Sequence, residues 1–270
     1  MSYPRASSLQ LLSHNVNGPR QRQKRAALFA VLQAGPWYVI ALQETHHATQ
    51  AEAAQYCRER AGRDGGSFWA AGASASRGVA FWFTAYRLLL GVSAFAADPC
   101  GRFVATQASL SGGHVTMASV YAPVERQTRT PFFRQCRLAL PVGTPLLIRG
   151  DWNCVAEDLD LVGGQPGSRQ HGFQSGWLPF QQALSLQDAF RCLHPQTREL
   201  THTATKNASS ARIDRWLVSD SLLPSVSVAS VTDLILIDHY EVAAKGFGLC
   251  LPPSYLQNPH DSSDSDHLSG

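Results

Sequence analysis

The amino-acid sequence predicts an α/β fold: one domain over residues 1–250, followed by a disordered tail or linker over residues 251–270. A chain of 270 residues with 44% hydrophobic content can bury one large core. Apolar runs alternate with amphipathic helical segments in the first part of the chain. After Leu251 the sequence is rich in Pro, Ser, Asp and His without periodicity, and such a segment cannot bury enough apolar surface to become ordered.

The first elements alternate between strand and helix. Residues 9–12 form a short apolar strand, and residues 20–33 form a helix with one apolar face, which Gly35-Pro36 ends. A second buried strand over residues 37–42 and a second helix over residues 49–61 follow.

The rest of the chain is richer in strands. Residues 102–110 and 114–121 are joined across Ser111-Gly112-Gly113, which is typical of a hairpin. Pro131 suits the first turn of a helix that runs through Leu140. The remaining predicted elements are a helix at 177–186, after a polar loop at 163–176, and strands at 78–83, 145–149, 200–205, 212–218, 226–237 and 240–247.

Composition narrows the class of protein. Charged residues make up 16% of the chain and the formal net charge is +3, which is too small to indicate a nucleic-acid partner by itself. The six cysteines show no two-residue spacing typical of a zinc or redox site, so we expect reduced, mostly buried thiols. No apolar run suits a signal peptide or a membrane span. We therefore expect an intracellular protein; a secreted protein held by disulfides is the alternative.

Polar residues gather at the ends of apolar strands. There are five such clusters: Asn15 with Asn17, Glu44, Asp151 with Asn153, Arg212 with Asp214, and Asp238 with His239. Residues two apart on a strand face the same way, so each Asn or Asp pair can point together. Strand ends are where loops place catalytic groups on a rigid scaffold.

These residue types suit the hydrolysis of a phosphodiester. Hard cations such as Mg²⁺ take oxygen ligands, usually one or two carboxylates with water and phosphate oxygens. Glu44, Asp151 and Asp238 offer such oxygens. The reaction also needs an activated water, charge neutralisation and help for the leaving oxygen. A carboxylate base, a metal and an imidazole together meet these needs.

Each cluster also has an ordinary structural interpretation. The Asn residues before Gly18 and the segment after Gly150 could be turns, Glu44 a solvated loop residue, Arg212 with Asp214 an ion pair, and Asp238-His239 a hydrogen-bonded loop. Their recurrence after successive strands favours one shared site over five unrelated loops.

The order of these motifs resembles the exonuclease-endonuclease-phosphatase superfamily over roughly residues 8–248. Within it, the apurinic endonuclease-like domains of non-LTR (LINE-type) retrotransposons are most similar. The resemblance rests on Asn15-Val16-Asn17-Gly18, Leu42-Gln43-Glu44-Thr45-His46, Arg77-Gly78-Val79-Ala80, Tyr121-Ala122-Pro123, Gly150-Asp151-Trp152-Asn153, Arg212-Ile213-Asp214 and Asp238-His239. The retrotransposon subgroup is indicated by Gln43-Glu44-Thr45-His46, by Leu159-Asp160 with Gly163-Gly164, and by Leu193-His194-Pro195 through Glu199-Leu200-Thr201 before Arg212-Ile213-Asp214.

The resemblance implies a four-layer α/β sandwich, in which two packed mixed β-sheets are flanked by helices. It implies a Mg²⁺-dependent DNA endonuclease, with Mn²⁺ as a substitute, that nicks one strand of target DNA. The expected setting is nuclear, with DNA as partner, without a membrane, and within a longer polyprotein that carries a reverse transcriptase.

The resemblance also implies roles for the metal and for water. Glu44 would bind the metal, with Asp238 and Asn17 contributing to its site. Asp151 would position or deprotonate the attacking water, and Asn153 would hold that water near the phosphorus.

Further implied roles concern the phosphate. Asn15 and Tyr121 would contact it or shape the metal site. His239, oriented by Asp214, would hold a phosphate oxygen or assist proton transfer.

Three departures from the family pattern stand out. Val124 replaces an Asn that is common after the Tyr-x-Pro motif, and Ile237 replaces the Ser before Asp-His. Ser265-Asp266-His267 matches that last motif literally, but we place the motif at Asp238-His239, because this pair follows Arg212-Ile213-Asp214 at a family-like distance. His14 stands where an aromatic residue is frequent.

Basic residues near the first polar cluster suggest where DNA would bind. Arg20, Arg22, Lys24 and Arg25 put four positive charges at the start of a predicted helix, where they could contact phosphates or form a solvated helix end. A second basic group could extend this surface and comprises Arg126, Arg129, Arg134 and Arg137. The alternatives are an abasic-site repair nuclease, another phosphatase of the superfamily, or an inactive domesticated DNA-binding domain.

Overall fold

The computed structural model describes residues 9–59, 66–72, 77–83, 90–110, 113–163, 176–204, 209–234 and 244–251. The helices of these ranges are α1 (Arg22–Ala34), α2 (Gln50–Glu59), α3 (Arg126–Ala139), α4 (Leu178–Ala183) and α5 (Ala189–Leu193), with short 3-10 helices at Asp158–Asp160 and Leu223–Ser225. None of the described helices is long and apolar enough to cross a membrane.

The strands complete two large sheets and a small one. In chain order they are β1 (Leu9–Asn15), β2 (Val39–Gln43), β3 (Ser67–Ala70), β4 (Val79–Phe83), β5 (Leu90–Ala97), β6 (Phe103–Leu110), β7 (Gly113–Tyr121), β8 (Leu146–Asp151), β9 (Leu161–Val162), β10 (Leu186–Asp188), β11 (His202–Ala204), β12 (Ser209–Ala211), β13 (Asp214–Ser219), β14 (Val228–Leu234) and β15 (Ala244–Leu251). The predicted tail, from its second residue onwards, lies outside the described residues.

Two six-stranded mixed sheets pack face to face. Their strand orders are β14-β15-β1-β2-β4-β3 and β10-β13-β8-β7-β6-β5, and β11-β12-β9 form a separate small sheet. Apolar residues such as Leu11, Phe81, Met117 and Trp216 fill the space between the two sheets. Helix α1 covers the first sheet with Leu28 and its neighbours, while α3 and α4 cover the second. The predicted four-layer α/β sandwich is confirmed.

Each large sheet contains a parallel strand pair connected through a helix. In the first, β1 and β2 are parallel and α1 joins them; in the second, β7 and β8 are parallel and α3 joins them. The carboxyl ends of parallel neighbours lie at the same edge of a sheet. Each β-α-β unit therefore brings two strand ends to one edge of its sheet, and the hydrogen bond from Asn15 on β1 to Asp151 on β8 shows that the two edges adjoin.

The two connecting helices begin in the same way. Arg25 on α1 donates to the carbonyl oxygens of Pro19 (3.0 Å) and Arg20 (2.8 Å), and Arg129 on α3 donates to those of Pro123 (2.9 Å) and Val124 (2.6 Å). Both arginines are only 3% exposed. Each guanidinium thus satisfies carbonyl groups of the loop that enters its helix.

This burial bears on one prediction. Arg25 also pairs with Glu59 on α2, whose Oε1 lies 2.8 Å from Arg25 Nη2, so its charge is neutralised inside the protein, which disfavours the predicted contact with DNA. Arg20 and Arg22 are exposed and Lys24 is half-buried, so the other three members of the group remain available.

The structure also shifts some predicted elements. Helix α3 starts at Arg126, so Pro131 lies inside it rather than in its first turn. The predicted helix at 177–186 is shorter and is followed by the strand β10 and then by α5. Strand β5 was not predicted, because its small residues lack a strong β-propensity.

Candidate active site

Four side chains meet where the parallel strand pairs of both sheets end. Asn15 is the last residue of β1 and Glu44 follows β2, while Tyr121 and Asp151 are the last residues of β7 and β8. In the second sheet Tyr121 and Asp151 are register partners. Each sheet therefore contributes one carboxylate and one other polar side chain.

Asn15 connects the two sheets directly. Its side-chain Nδ2 donates to Glu44 Oε1 at 2.8 Å and to Asp151 Oδ2 at 3.1 Å. The backbone N–H of Asn17 donates to Asn15 Oδ1 at 3.1 Å, which fixes the orientation of the amide. One asparagine thus holds carboxylates from both sheets in a defined arrangement.

Asp151 is buried among other acidic groups. It is 4% exposed, and its Oδ1 accepts from the backbone N–H of Asn153 at 3.0 Å. Burial, together with the negative charges of Asp214 and Glu44, raises the pKa of Asp151 well above its usual range. A cation beside these carboxylates would relieve their repulsion.

The donor chemistry fits a hard divalent cation. Among the described residues no three His, Cys, Asp or Glu side chains form a metal-binding group. Mg²⁺ does not require one, since it is usually held by one or two carboxylates with water and substrate oxygens. Glu44 presents such a carboxylate. Asp151 presents a second one, and the Asn15 side-chain amide donates to both.

Asp214 lies beside Asp151 and pairs with a buried arginine. The two aspartates are register partners on adjacent antiparallel strands. Arg149 Nη2 lies 3.3 Å from Asp214 Oδ1, and Thr201 Oγ1 accepts from the backbone N–H of Asp214 at 3.1 Å. Burial raises the pKa of Asp214, and the charge of Arg149 opposes this shift. The sequence analysis placed Arg149 on a strand but gave it no role in the site. Burial lowers the pKa of Arg149 to about 10.

Arg212 has a structural role different from the ion pair considered for it. Its Nε lies 2.8 Å from Asp160 Oδ1 and its Nη2 lies 2.8 Å from Asp188 Oδ2. Arg215 also donates to Asp160, with 3.3 Å between Nη2 and Oδ2. In the Arg-Ile-Asp motif the arginine therefore anchors the strand, and the aspartate faces the site.

The backbone is strained at several site residues. Asn17, Glu44, His46 and Asn153 have φ angles of 41°, 51°, 54° and 48°. Non-glycine residues rarely adopt this left-handed region, and such strain accumulates at functional sites. Of the five non-glycine residues with positive φ in the described ranges, four lie here.

The loop after β8 is fixed on both sides. Asn153 Nδ2 donates to the carbonyl oxygen of Ala122 at 2.8 Å, which ties this loop to the one after β7. Beneath it Trp152 is fully buried and packs edge-on against Trp177, with ring centroids 4.2 Å apart. The tryptophan of the motif is thus an anchor, and it points the neighbouring Asp151 and Asn153 away from the core.

Tyr121 stays protonated in this setting. It is 8% exposed, and burial together with the carboxylates of Glu44 and Asp151 raises its pKa. Arg102 lies over its ring, 5.2 Å from the centroid, and Arg102 Nη1 donates to its carbonyl oxygen at 3.3 Å. Its phenol is therefore a hydrogen-bond donor at neutral pH.

The loop after β2 brings a histidine to Glu44. His46 Nε2 lies 3.4 Å from Glu44 Oε2, and the imidazole ring packs against Gly18. Burial lowers the pKa of His46, although the negative charge of Glu44 opposes this. His46 was part of a predicted motif but was assigned no role.

A cavity of about 270 Å³ adjoins Asn153. Its lining includes Val124, Arg126, Asn153, His202, Ala211 and Ile213. Val124, the departure from the family pattern, is 59% exposed at this cavity. The loops after β7 and β8 and the β11-β12 hairpin together form its walls.

Asp238 and His239, as well as the rival motif at 265–267, lie outside the described residues. The strands that flank the first pair are described. Leu234 ends β14 and Ala244 begins β15, and these two residues are register partners. Because β15 runs antiparallel to β1, they lie at the same sheet edge as Asn15. The roles of Asp238 and His239 stay predictions.

Several solved structures share this fold. The AP endonuclease LMAP from Leishmania major superposes with a TM-score of 0.75 at 18% identity, covering 93% of this chain and 89% of that one. An AP endonuclease from Archaeoglobus fulgidus gives 0.71 at 15% identity, with 90% and 99% covered. A 3'-5' exonuclease from Neisseria meningitidis gives 0.66 at 20% identity, with 90% and 100% covered.

A family model matches most of the chain. The model for the endonuclease/exonuclease/phosphatase family matches residues 12–267, which include every site residue named above. The chain belongs to the endonuclease/exonuclease/phosphatase family.

Proposed function

We propose that the protein is a metal-dependent DNA endonuclease that hydrolyses a phosphodiester and nicks one strand. The observation that carries this proposal is the Asn15 amide, which holds Glu44 and Asp151 from opposite sheets within one buried acidic site. Family membership supports hydrolysis of a phosphate ester, and two of the structural relatives are AP endonucleases.

Asp151 acts as the base in this proposal. Its oxygens are fixed by Asn15 and by the backbone of Asn153, so its free lone pairs have a defined direction. A raised pKa makes the carboxylate a better proton acceptor, because an efficient base has a pKa closer to the working pH. The attacking water gives its proton to Asp151 and is held near the phosphorus by Asn153.

Other side chains stabilise the phosphate. Glu44 would hold a divalent cation, with Asp238 and Asn17 assisting. When bound, such a cation neutralises phosphate charge and polarises water. Tyr121 donates its phenolic O–H to a non-bridging oxygen, a role that its raised pKa supports. We assign His239, with Asp214 as its partner, to the leaving oxygen.

Supercoiled plasmid tests the activity. Incubation with Mg²⁺ should convert it to the open-circular form, and EDTA should prevent this conversion. Binding of DNA without cleavage under any divalent metal would contradict the proposal and leave an inactive DNA-binding domain.

The cavity beside Asn153 favours one alternative, an abasic-site nuclease. Enzymes that act on an extruded nucleotide need a pocket next to the reacting phosphate. An abasic duplex should therefore be compared with the same duplex undamaged and with a phosphomonoester. Cleavage confined to the abasic duplex would assign the protein to repair, and release of phosphate alone would make it a phosphatase.

Three basic residues lie at the loop that follows β1 or on the helix after it, and they suit contact with DNA phosphates: Arg20, Arg22 and Lys24. Arg22→Ala should lower the slope of log binding constant against log salt by about one unit, because each neutralised phosphate contributes about that much. Fluorescence anisotropy with a labelled duplex measures the slope. Gln23→Ala, which removes an exposed uncharged side chain next to Arg22 on α1, is the matched control. Equal slopes for both variants would remove Arg22 from the interface.

A DNA-nicking activity of this kind suits retrotransposition. We therefore propose a nuclear setting and a longer polyprotein in which a reverse transcriptase uses the nicked strand. The motifs Leu159-Asp160 and Leu193-His194-Pro195 support this context by their resemblance alone.

A further inference from the structure

A histidine nitrogen and a carboxylate oxygen lie side by side in the site as a long ion pair rather than a well-formed hydrogen bond. His46 Nε2 and Glu44 Oε2 are 3.4 Å apart, beyond the 2.7–3.2 Å of an ordinary N–H···O bond. In the described part of the chain, Nε2 is shielded from solvent and makes no hydrogen bond. The other Glu44 oxygen, Oε1, is already bonded to Asn15. The imidazole nitrogen and the second carboxylate oxygen are thus adjacent, and both can coordinate a shared partner.

We propose that His46 Nε2 and Glu44 Oε2 bind the same divalent ion, so that the site has a nitrogen ligand and binds transition metals more tightly than Mg²⁺. This inference rests on the proposed metal-dependent function and names the kind of metal. Imidazole suits transition ions, whereas Mg²⁺ prefers oxygen ligands.

The separation of the two atoms fits a shared ion. Metal–nitrogen and metal–oxygen bonds of this kind are about 2.1 Å long. Two such donors at a right angle are about 3.0 Å apart, and at a tetrahedral angle about 3.4 Å apart. The observed 3.4 Å lies at the upper end of this range.

The loop that carries both residues is held in an unusual conformation. Glu44 and His46 both have left-handed φ angles, of 51° and 54°. The Glu44 carbonyl accepts from the N–H of Gly18 at 2.8 Å, and the N–H of His46 donates to the Arg77 carbonyl at 2.7 Å. These bonds keep the side chains of residues 44 and 46 on the same side of the loop.

Glycine at position 18 leaves the space that the imidazole occupies. A Cβ added there would lie 2.0 Å from His46 Nδ1, so no larger residue fits without moving the ring. Gly18 also has a φ of +70°, which favours glycine. Gly18, in the loop after β1, therefore leaves the space that the His46 ring occupies.

Mn²⁺ bound to the full-length chain, without DNA, tests the inference. Pulsed EPR should detect a ¹⁴N coupling from a coordinated imidazole. His46→Phe keeps an aromatic ring but removes the ligand, so this coupling should disappear and the Kd for Mn²⁺ should rise by about tenfold or more. The Kd for Mg²⁺ should change by less than about threefold, because Mg²⁺ relies on oxygen ligands.

His114→Phe is the matched control, since His114 is exposed on β7 and lies outside the site. It should retain both the coupling and the Mn²⁺ affinity. Persistence of the coupling in His46→Phe, or equal weakening of both metals, would overturn the inference. Histidine labelled with ¹⁵N in the unmutated chain provides a test that does not depend on folding of the variant: absence of any nitrogen coupling also overturns it.

The metal site and the activity can fail separately. If His46→Phe removes the nitrogen coupling but the unmutated protein does not nick plasmid, the proposed metal site is supported and the proposed nuclease activity is rejected. Plasmid nicking with Mg²⁺ and no nitrogen coupling would reject the role of His46 and leave the proposed nuclease standing.

Discussion

Asp151→Asn is expected to reduce plasmid nicking by about 10²–10⁴-fold, the range over which a positioned general base accelerates a reaction. The substitution keeps the size of the side chain but removes its negative charge and its capacity to accept a proton. It also places an amide against two donors, Asn15 Nδ2 and the N–H of Asn153, so one of those hydrogen bonds is lost. Initial rates under excess Mg²⁺ measure the effect.

The matched control is Asp220→Asn, which changes an exposed carboxylate in the turn after β13, outside the site. This variant should nick plasmid at the unmutated rate. Circular dichroism and thermal unfolding of both variants separate a chemical defect from a folding defect. If Asp151→Asn were folded and retained more than a tenth of the activity, Asp151 would not be the base.

Much of the candidate site could be predicted from strand ends. Asn15 and Asp151 are far apart in sequence, but each ends an apolar strand, and the α/β alternation indicates that each strand has a parallel neighbour ending at the same sheet edge. The two residues lie in different sheets, and the packing of these sheets, which the strand ends do not encode, brings the two edges together. Their direct hydrogen bond confirms that Asn15 and Asp151 come together. What they do there stays a prediction.

Arginines were harder to assign, because their sequence context is the same whether they face solvent or the protein. Arg22 and Arg25 lie in one basic run, yet the first is exposed and the second is buried against loop carbonyls and Glu59. The path of the loop before α1 decides this difference, and periodicity does not encode that path. Arg149 presents the same difficulty inside an apolar strand, where its partner Asp214 comes from a distant segment.

His46 shows a further limit. It lies two residues after Glu44, a spacing at which side chains face the same way in an extended strand, but both residues follow β2 and lie in a loop, where this rule does not apply. Both have left-handed φ angles, and in this loop their side chains lie 3.4 Å apart. Such backbone angles are typical of glycine, so the sequence offered no signal of this loop conformation.

Asp160→Asn is expected to lower the free energy of unfolding by about 3–5 kcal/mol, the usual cost of breaking a buried ion pair. Asp160 is 0% exposed and accepts from Arg191, Arg212 and Arg215. Without its charge, Arg212 and Arg215 are left with Asp188 as their shared acidic partner among the described residues. Two fully buried guanidinium groups then carry a charge that one carboxylate compensates only in part.

Urea unfolding followed by tryptophan fluorescence measures this loss, since Trp177 packs against Arg215 near the network. Asp158→Asn, an exposed aspartate on the same short helix, should change the stability by less than about 0.5 kcal/mol. Arg212 precedes Asp214 by two residues, so loss of the anchor should also displace Asp214 and lower activity in whatever fraction remains folded. An Asp160→Asn protein as stable as the unmutated chain would show that Asp188 alone neutralises the network, and that the Arg-Ile-Asp motif does not depend on Asp160 for its position.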